Sequence, residues 1–522
     1  MIVYTHTKIK LSEFISRISI PFFLFLLTFI IAGYFSKIGV DPHHDGIMFK
    51  PAFDVARGSI LFRDTFTQYG ALTTLLQAWA LMIFGKYLLT IQLLTAFFYG
   101  LIAVLLYVIY QKILPKFLSA LSVLFWIFMA PYFLALFLPW ASVYALFFQL
   151  LGTCLLLIYE ERGNYLYLFW AGVATTLTFF TRQPGGICML GAVYAYLFCT
   201  FITKNLSLRK LIRALYLYTC GVVLAASCFL IWIAGSGAFR DFWLQSIRFA
   251  YIFGANRPNA TIQGILLALF PDVWRPISLW ALFPIATILL AIVYFIALVR
   301  KQNIKQAKTV LIIAAIGLSA WLQYYPVTDD RHVFWGASQM FGLLTFALFT
   351  VSVYVLSFVP RLRRKLAIGF TCVALAYFFY PYISLRITSG IDKLRAPYVT
   401  VSQPDILRGM LMPAGDAQFY MSVASSMTTY FQNNPKGNVI NLSGDGLYAA
   451  FDPRIRNVHP LYIDWVELHA IYPNFPTQID AYIQTNKPMV ISNGQNMIIP
   501  YGYCPLATPP NTDNILLSLP CK

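Results

Sequence analysis

Apolar runs of about 20 residues recur along this chain and constrain its fold more than any other feature. A hydrocarbon core roughly 30 Å thick requires helices of that length. Hydrophobic residues make up 59% of the 522 residues and charged residues 11%, whereas soluble domains carry about 25% charged residues. The sequence therefore predicts a polytopic α-helical membrane protein with about eleven transmembrane helices, at 19–35, 88–110, 117–137, 141–159, 166–180, 187–202, 211–234, 277–299, 309–325, 333–358 and 366–385.

Basic residues cluster at alternate connections between these predicted helices. The clusters hold 18 of the 38 lysines and arginines, whereas only three of the 20 acidic residues lie with them. Because excess Lys and Arg in short loops marks the cytoplasmic side, we predict a cytoplasmic N-terminus and an integral protein of a bacterial inner membrane. This placement accounts for the net charge of +18, and the lack of a basic soluble domain argues against a nucleic-acid partner.

The acidic residues lie mostly on the side of the membrane opposite to the basic clusters. None of the 20 lies inside a predicted helix, and 17 fall on the predicted outer side. Proton-coupled transporters commonly use carboxylates within the membrane as relays. The distribution therefore disfavours a pump or antiporter and places any chemistry at the outer surface.

Two predicted domains follow from this pattern. Residues 1–385 form the transmembrane domain, whose first external loop, 36–87, holds an apolar stretch at 71–84 that is too short to span and is predicted to lie at the interface. Residues 386–522 alternate helix and strand signals and predict a small extracytoplasmic, periplasmic α/β domain. Cys504 and Cys521 lie in this domain and could pair in an oxidising compartment.

The stretch GVDPHHDGIMFK, residues 39–50, crowds ionisable groups directly after the first predicted helix. Its simplest interpretation is a solvated helix terminus that begins with a turn at Asp41. Because the first external loop carries four aspartates, more than solubility requires, we favour a functional role for Asp41. His43, His44 and Asp45 could bind a divalent cation such as Mg or Mn, although three adjacent donors are not a recognised ligand spacing.

An acidic motif after the first helix, about eleven spans and an outer C-terminal domain together resemble the GT-C superfamily. Its members are integral-membrane glycosyltransferases that use polyprenyl-phosphate sugars, among them the protein O-mannosyltransferases and the lipid A aminoarabinose transferases. VDPHHDG matches the family's acidic first-loop motif, TRQPGG at 181–186 is similar to its basic-Gly loop, and TDDRHVFW at 328–335 is similar to an Arg/His-containing external loop. The resemblance implies sugar transfer from a polyprenyl-phosphate donor to a lipid-linked glycan, polysaccharide or protein acceptor at the outer membrane face.

The resemblance also implies roles for particular residues. Asp41 would be the catalytic base for the acceptor hydroxyl, since a carboxylate within hydrogen-bond reach can take its proton. Arg182 and Arg331 would bind the donor phosphate, and His332 would donate a further hydrogen bond. Two alternatives stay open: Arg182 could snorkel to the interface, and Arg331 could be paired with the aspartates before it.

One feature departs from the family pattern. Many relatives carry a second acidic residue in the external loop between the third and fourth helices, where this chain has LFLPWASV. Asp45, Asp329 or Asp330 would have to supply that second catalytic carboxylate.

Three other functions compete with sugar transfer. A transporter or flippase for a lipid-linked saccharide would move lipid without forming a glycosidic bond, and the scarcity of charges inside the helices argues against it. An O-antigen polymerase or ligase would favour a large external loop inside the chain, whereas the largest external mass here is C-terminal. In a non-catalytic assembly protein the aspartates would be dispensable.

Overall fold

The computed structural model describes residues 11–257, 279–322, 329–360, 362–452, 454–455, 461–463, 465–493, 500–506 and 515–521. Helices dominate it as far as Arg395. The long and medium helices are α1 (Leu11–Phe35), α2 (His44–Val55), α3 (Ala71–Phe84), α4 (Leu88–Tyr110), α5 (Lys116–Phe128), α6 (Ala141–Arg162), α7 (Leu166–Thr181), α8 (Gln183–Ile202), α9 (Leu208–Gly235), α10 (Leu279–Val299), α11 (Ile304–Leu322), α12 (Asp330–Val355) and α13 (Arg363–Arg395). Three short helical segments, Phe239–Phe242, Trp243–Arg248 and Phe249–Ala255, follow α9.

Each of the eleven predicted spans falls on one of these helices. In the described part of the chain, eight helices are long and apolar enough to cross a membrane by length and composition. The apolar part of α1, α5 and α7 are shorter, so the number eleven stays a prediction. Residues 277–278 and 323–325, at the ends of two predicted spans, lie outside the described ranges.

The third predicted span, 117–137, is wrong at its C-terminal end. Helix α5 stops at Phe128, and Pro131–Phe133 forms a separate 3-10 turn. The cause is local, because a proline disfavours helical geometry in the residue before it. The side chains of Arg386 and Lys393 on α13 donate hydrogen bonds to carbonyls in this broken segment, including Met129 O at 3.1 Å and Tyr132 O at 3.0 Å.

Helix α3 coincides with the stretch predicted to lie at the membrane interface. Trp79, Met82, Ile83 and Phe84 are exposed near its C-terminal end, so the helix presents an unshielded apolar surface there. This surface is what an interfacial position requires. The interfacial position itself stays a prediction.

A small sheet domain follows α13, as the sequence predicts. It contains α14 (Ala414–Asn433) and α15 (Phe475–Asn486). A mixed four-stranded sheet has the order β3 (Val439–Asn441), β4 (Met489–Asn493), β6 (Ile515–Pro520), β5 (Tyr503–Pro505), with β3 parallel to β4 and the other pairs antiparallel. The disulfide between Cys504 and Cys521 forms and joins β5 to the end of β6. Helix α13 continues past the predicted boundary at 385.

The C-terminal domain packs directly on the loop that follows α1. In the C-terminal domain, β1 (Tyr398–Thr400) and β2 (Leu411–Pro413) form a short antiparallel pair. The loop after α1 lies along the edge of this pair, where Gly39 N donates to Leu411 O at 2.7 Å. Further on, Leu447 N donates to Pro42 O at 3.2 Å. Gly46 faces the same backbone so closely that a Cβ there would overlap Leu447 N. The acidic motif is therefore held between the transmembrane helices and the C-terminal domain.

Candidate active site

Asp41 organises the N-terminus of α2. Its Oδ1 accepts hydrogen bonds from the backbone N–H groups of His43 at 3.1 Å and His44 at 2.9 Å, which are otherwise unsatisfied at a helix start. Its Oδ2 accepts a third, from Nδ1 of the His44 ring, at 2.7 Å. Burial raises the pKa of Asp41, but the hydrogen bond and charge of His44 outweigh it and the net shift is downward. Asp41 is therefore an ionised carboxylate, 24% exposed.

Asp45 lies beneath this turn and is fully buried. Its carboxylate accepts from Asp41 N at 2.9 Å and from Gln92 Nε2 at 3.2 Å. Desolvation raises the pKa of Asp45 well above its ordinary value, and the nearby Asp41 charge adds to the shift. The predicted catalytic role for Asp45 stays a prediction, and in this structure its carboxyl is enclosed by protein. Its contacts hold the Asp41 backbone in position.

His43 joins the motif to the C-terminal domain. Its Nδ1 lies 3.0 Å from Gly444 O and 3.5 Å from Asp445 Oδ1, and its ring centroid is 5.5 Å from that of Trp465. Burial lowers the pKa of His43, but the hydrogen bond and charge of Asp445 outweigh it and raise the pKa overall. Asp445 is not among the predicted residues, because its only signal in the sequence is a Gly-Asp-Gly turn remote from the motif.

The predicted metal site does not form. No group of three or more His, Cys, Asp or Glu side chains within the described ranges is arranged to hold an ion. His43 and His44 turn their Nδ1 atoms toward Gly444 and Asp41, while Asp45 is directed inward to Gln92. These three residues do not fit a divalent cation, because they turn toward three different partners and do not converge on one point.

Trp140 connects the acidic motif to the start of α12. Its ring centroid lies 5.2 Å from those of both His44 and His332, and the His332 ring stacks on it at 21°. The Arg331 guanidinium lies over the same indole, 5.6 Å from its centroid. Trp140 belongs to LFLPWASV, the loop noted for lacking an acid, and its signal is a tryptophan directly after Pro139.

The turn before α12 repeats the arrangement at Asp41. Asp329 Oδ1 accepts from the backbone N–H groups of Arg331 and His332, both at 3.0 Å, and its carboxylate lies 2.9 Å from His332 Nδ1. Burial raises the pKa of Asp329, but the His332 hydrogen bond and charge prevail and lower it to about 2. The Arg331 guanidinium pairs with none of the described carboxylates and turns to Trp140 instead. The Asp330 side chain lies outside the description.

Arg182 reaches the same region from another part of the chain. It sits in an extended backbone conformation between α7 and α8, and its Nη1 donates to Ser142 Oγ at 2.9 Å. Ser142 is two residues beyond Trp140, and the Arg182 charge acts on the His332 ring. Arg182 is thus part of the cluster rather than a cation at the lipid surface.

Five of the predicted residues therefore lie around Trp140, namely Asp41, His44, Arg182, Arg331 and His332. We call this set, with Trp140, the Trp140 cluster. It brings an ionised carboxylate with its hydrogen-bonded imidazole, and cationic groups, to one indole. Chemically, such a set can accept a proton beside a bound anion.

Comparison with known proteins supports the fold. No family model and no curated protein matches this chain. ArnT from Cupriavidus metallidurans, solved bound to undecaprenyl phosphate, superposes with a TM-score of 0.53 at 10% identity, covering 98% of each chain. The oligosaccharyltransferase AglB from Archaeoglobus fulgidus, solved with an inhibitory peptide and a dolichol-phosphate, gives 0.49 at 12% identity over 92% of this chain and 70% of its own. Another structure of it, with Zn and sulfate, gives 0.48.

The ArnT likeness covers both chains almost completely. This chain shares the overall fold of ArnT, and the resemblance seen in the sequence is confirmed at the level of the fold. Together with the eight long apolar helices, the fold supports an integral membrane protein.

Proposed function

We propose that this protein is a glycosyltransferase that moves a sugar from a polyprenyl-phosphate donor to a glycan, lipid or protein acceptor. One observation carries the proposal: Trp140 contacts both His44, the hydrogen-bonded partner of the ionised Asp41, and Arg331, residues almost 300 positions apart in the sequence. Proton acceptor and phosphate-binding cations are the two components that transfer from a lipid phosphate requires. The ArnT structure holds undecaprenyl phosphate, which makes a lipid of that class our proposed donor.

The donor phosphate would lie against Arg182 and Arg331. Guanidinium groups bind phosphate through paired, charge-assisted hydrogen bonds, and two of them offset the charge that develops as the phosphate leaves. His332 stacks on Trp140 beside them and is nearly buried, so its contribution would be to hold the indole and Arg331 in place.

The acceptor hydroxyl would approach the Asp41–His44 pair. Both members are partly exposed, at 24% and 37%, so an incoming hydroxyl has access to them. Removing the hydroxyl proton as the new bond forms contributes typically 10²- to 10⁴-fold to the rate. The C-terminal domain adjoins this side through His43, and we propose that it contributes to acceptor binding.

The distribution of basic residues supports a reaction at the outer face of the membrane, with a cytoplasmic N-terminus and the C-terminal domain outside. A bacterial inner membrane fits a polyprenyl-phosphate carrier. We assign no step to a divalent cation, because His43, His44 and Asp45 do not converge on one.

The proposal is tested by incubating purified protein with a panel of undecaprenyl-phosphate sugars and an acceptor mixture, and measuring released undecaprenyl phosphate by mass spectrometry. We expect release by the natural protein and a loss of at least 100-fold in Asp41→Asn. Asp405→Asn, at an exposed ion pair with Arg408, is the matched control and keeps full activity. Full activity in Asp41→Asn would remove the assignment of this site.

A further inference from the structure

The carboxylate of Asp41 is already occupied by hydrogen bonds from within the protein. Its two oxygens accept three hydrogen bonds, from two backbone N–H groups and from Nδ1 of His44. A carboxylate so occupied is a weaker proton acceptor, since hydrogen bonds to the charged form stabilise it. The downward shift in the pKa of Asp41 agrees with this.

The ring of His44 is more open. Its side chain is 37% exposed, against 24% for Asp41, and no described residue hydrogen-bonds to its Nε2. Because Nδ1 faces an ionised carboxylate at 2.7 Å, Nδ1 carries the hydrogen in the neutral ring and Nε2 carries the lone pair. Asp41 thus fixes the tautomer and orientation that leave Nε2 ready to accept a proton, as the third member of a catalytic triad does.

The His44 ring packs against the indole that Arg331 also contacts. The His44 and Trp140 centroids are 5.2 Å apart, and Arg331 lies over the same indole. The neighbouring His43 is as exposed and also faces a carboxylate, that of Asp445, but its ring packs on Trp465 rather than on Trp140. His332 contacts Trp140 but is buried, so among the three described histidines in this region His44 combines exposure, a carboxylate partner and contact with Trp140.

We propose that His44 Nε2 is the atom that takes the proton from the acceptor hydroxyl, with Asp41 as the positioning residue that orients the ring. This inference rests on the proposed transferase function and names its proton acceptor. The acceptor oxygen forms a bond to the anomeric carbon as the bond from that carbon to the phosphate oxygen breaks. The bonding pair leaves on the polyprenyl phosphate, beside Arg182 and Arg331. The hydroxyl proton passes to Nε2, Asp41 stabilises the imidazolium, and water receives the proton after product release.

The first test is chemical rescue of His44→Ala, measured as undecaprenyl phosphate release. We expect a loss of at least 100-fold, and recovery of at least fivefold on adding imidazole. The double variant Asp41→Ala/His44→Ala should be little slower than His44→Ala and should gain less than twofold from imidazole, because groups acting as a unit are not additive. His469→Ala, a histidine of the C-terminal domain outside the Trp140 cluster, keeps full activity and does not respond to imidazole.

A second variant tests whether Nε2 accepts the proton even if imidazole cannot enter the site. Placing Nτ-methylhistidine at position 44 keeps the Nδ1–H bond to Asp41 and blocks Nε2. We expect it to lose as much activity as His44→Ala. If this variant retains more than half the activity, the inference is overturned and Asp41 becomes the proton acceptor. In that case the proposed function still stands, provided that the natural protein transfers sugar. Absence of transfer by the natural protein itself, with every donor, would instead contradict the proposed function.

Discussion

Two Asp-x-x-His turns contact Trp140 through their histidines, and they differ in which partner is exposed. In the first, Asp41 and His44 are 24% and 37% exposed. In the second, His332 is only 10% exposed while Asp329 is 49% exposed. Each aspartate accepts from the backbone at its own helix N-terminus, and its carboxylate lies 2.7 Å or 2.9 Å from Nδ1 of its histidine. On our proposal, the same local arrangement takes part in the chemistry in the first turn and supports Trp140 in the second, according to how the ring is packed.

The largest expected effect separates the two aspartates. Asp41→Asn should lower transfer at least 100-fold, because an amide carries no negative charge to stabilise the His44 imidazolium and does not fix the tautomer of the His44 ring. Asp329→Asn should lower it less than tenfold, since His332 is held by stacking on Trp140 as well. Turnover numbers of the two variants check this. Equal losses in both would break the distinction between the turns.

Arg331 should come next in size. We expect Arg331→Ala to raise the donor KM by about 10- to 100-fold, because a hydrogen bond to a charged group contributes about 1.5–3 kcal/mol. Arg331→Lys should recover part of this, since a lysine keeps the charge but not the paired geometry. Steady-state kinetics with varied donor measures it, with Arg408→Ala as the exposed arginine control. An unchanged donor KM would remove Arg331 from the phosphate site.

Trp140→Leu tests whether the indole links the turns. It removes the ring contacts to His44, His332 and Arg331 while keeping an apolar side chain. Aromatic pairs contribute about 0.5–1.5 kcal/mol each, so we expect transfer to fall about tenfold. The fall should appear in both donor and acceptor kinetics. A change confined to one substrate would show that the turns act independently.

The smallest effect concerns pH and the second turn. The folded-state pKa of Asp329 is lowered to about 2, so its stabilising contribution is present above the ordinary aspartate pKa and is lost as pH falls toward 2. Because Asp329 is half exposed, we expect this contribution to be below about 1 kcal/mol. Thermal unfolding in detergent should therefore show Asp329→Asn slightly less stable than the natural protein at pH 6, with the gap closing below pH 3. A gap independent of pH would contradict this origin.

Sequence patterns predicted the helices well because apolar runs report directly on the membrane. They also selected Asp41, Arg182 and Arg331, which lie at helix ends within short motifs and which the structure brings together, although their roles stay predictions. The end of α5 was missed although Pro131 marks it, because hydropathy does not register a proline in an apolar run. Trp140 and Asp445 could not be assigned, since their importance arises from contacts with remote segments. The burial of Asp45 is likewise a tertiary property, set by Gln92 and the overlying C-terminal domain.

The central claim is that the Trp140 cluster breaks the bond between a sugar and a polyprenyl phosphate. The most direct test uses proteoliposomes that contain a labelled undecaprenyl-phosphate sugar. Transferred sugar and released undecaprenyl phosphate are measured in the same sample. We expect one undecaprenyl phosphate released for each sugar transferred, and neither product with Asp41→Asn. Movement of intact lipid-linked sugar between leaflets without release, or equal release by Asp41→Asn, would contradict the account.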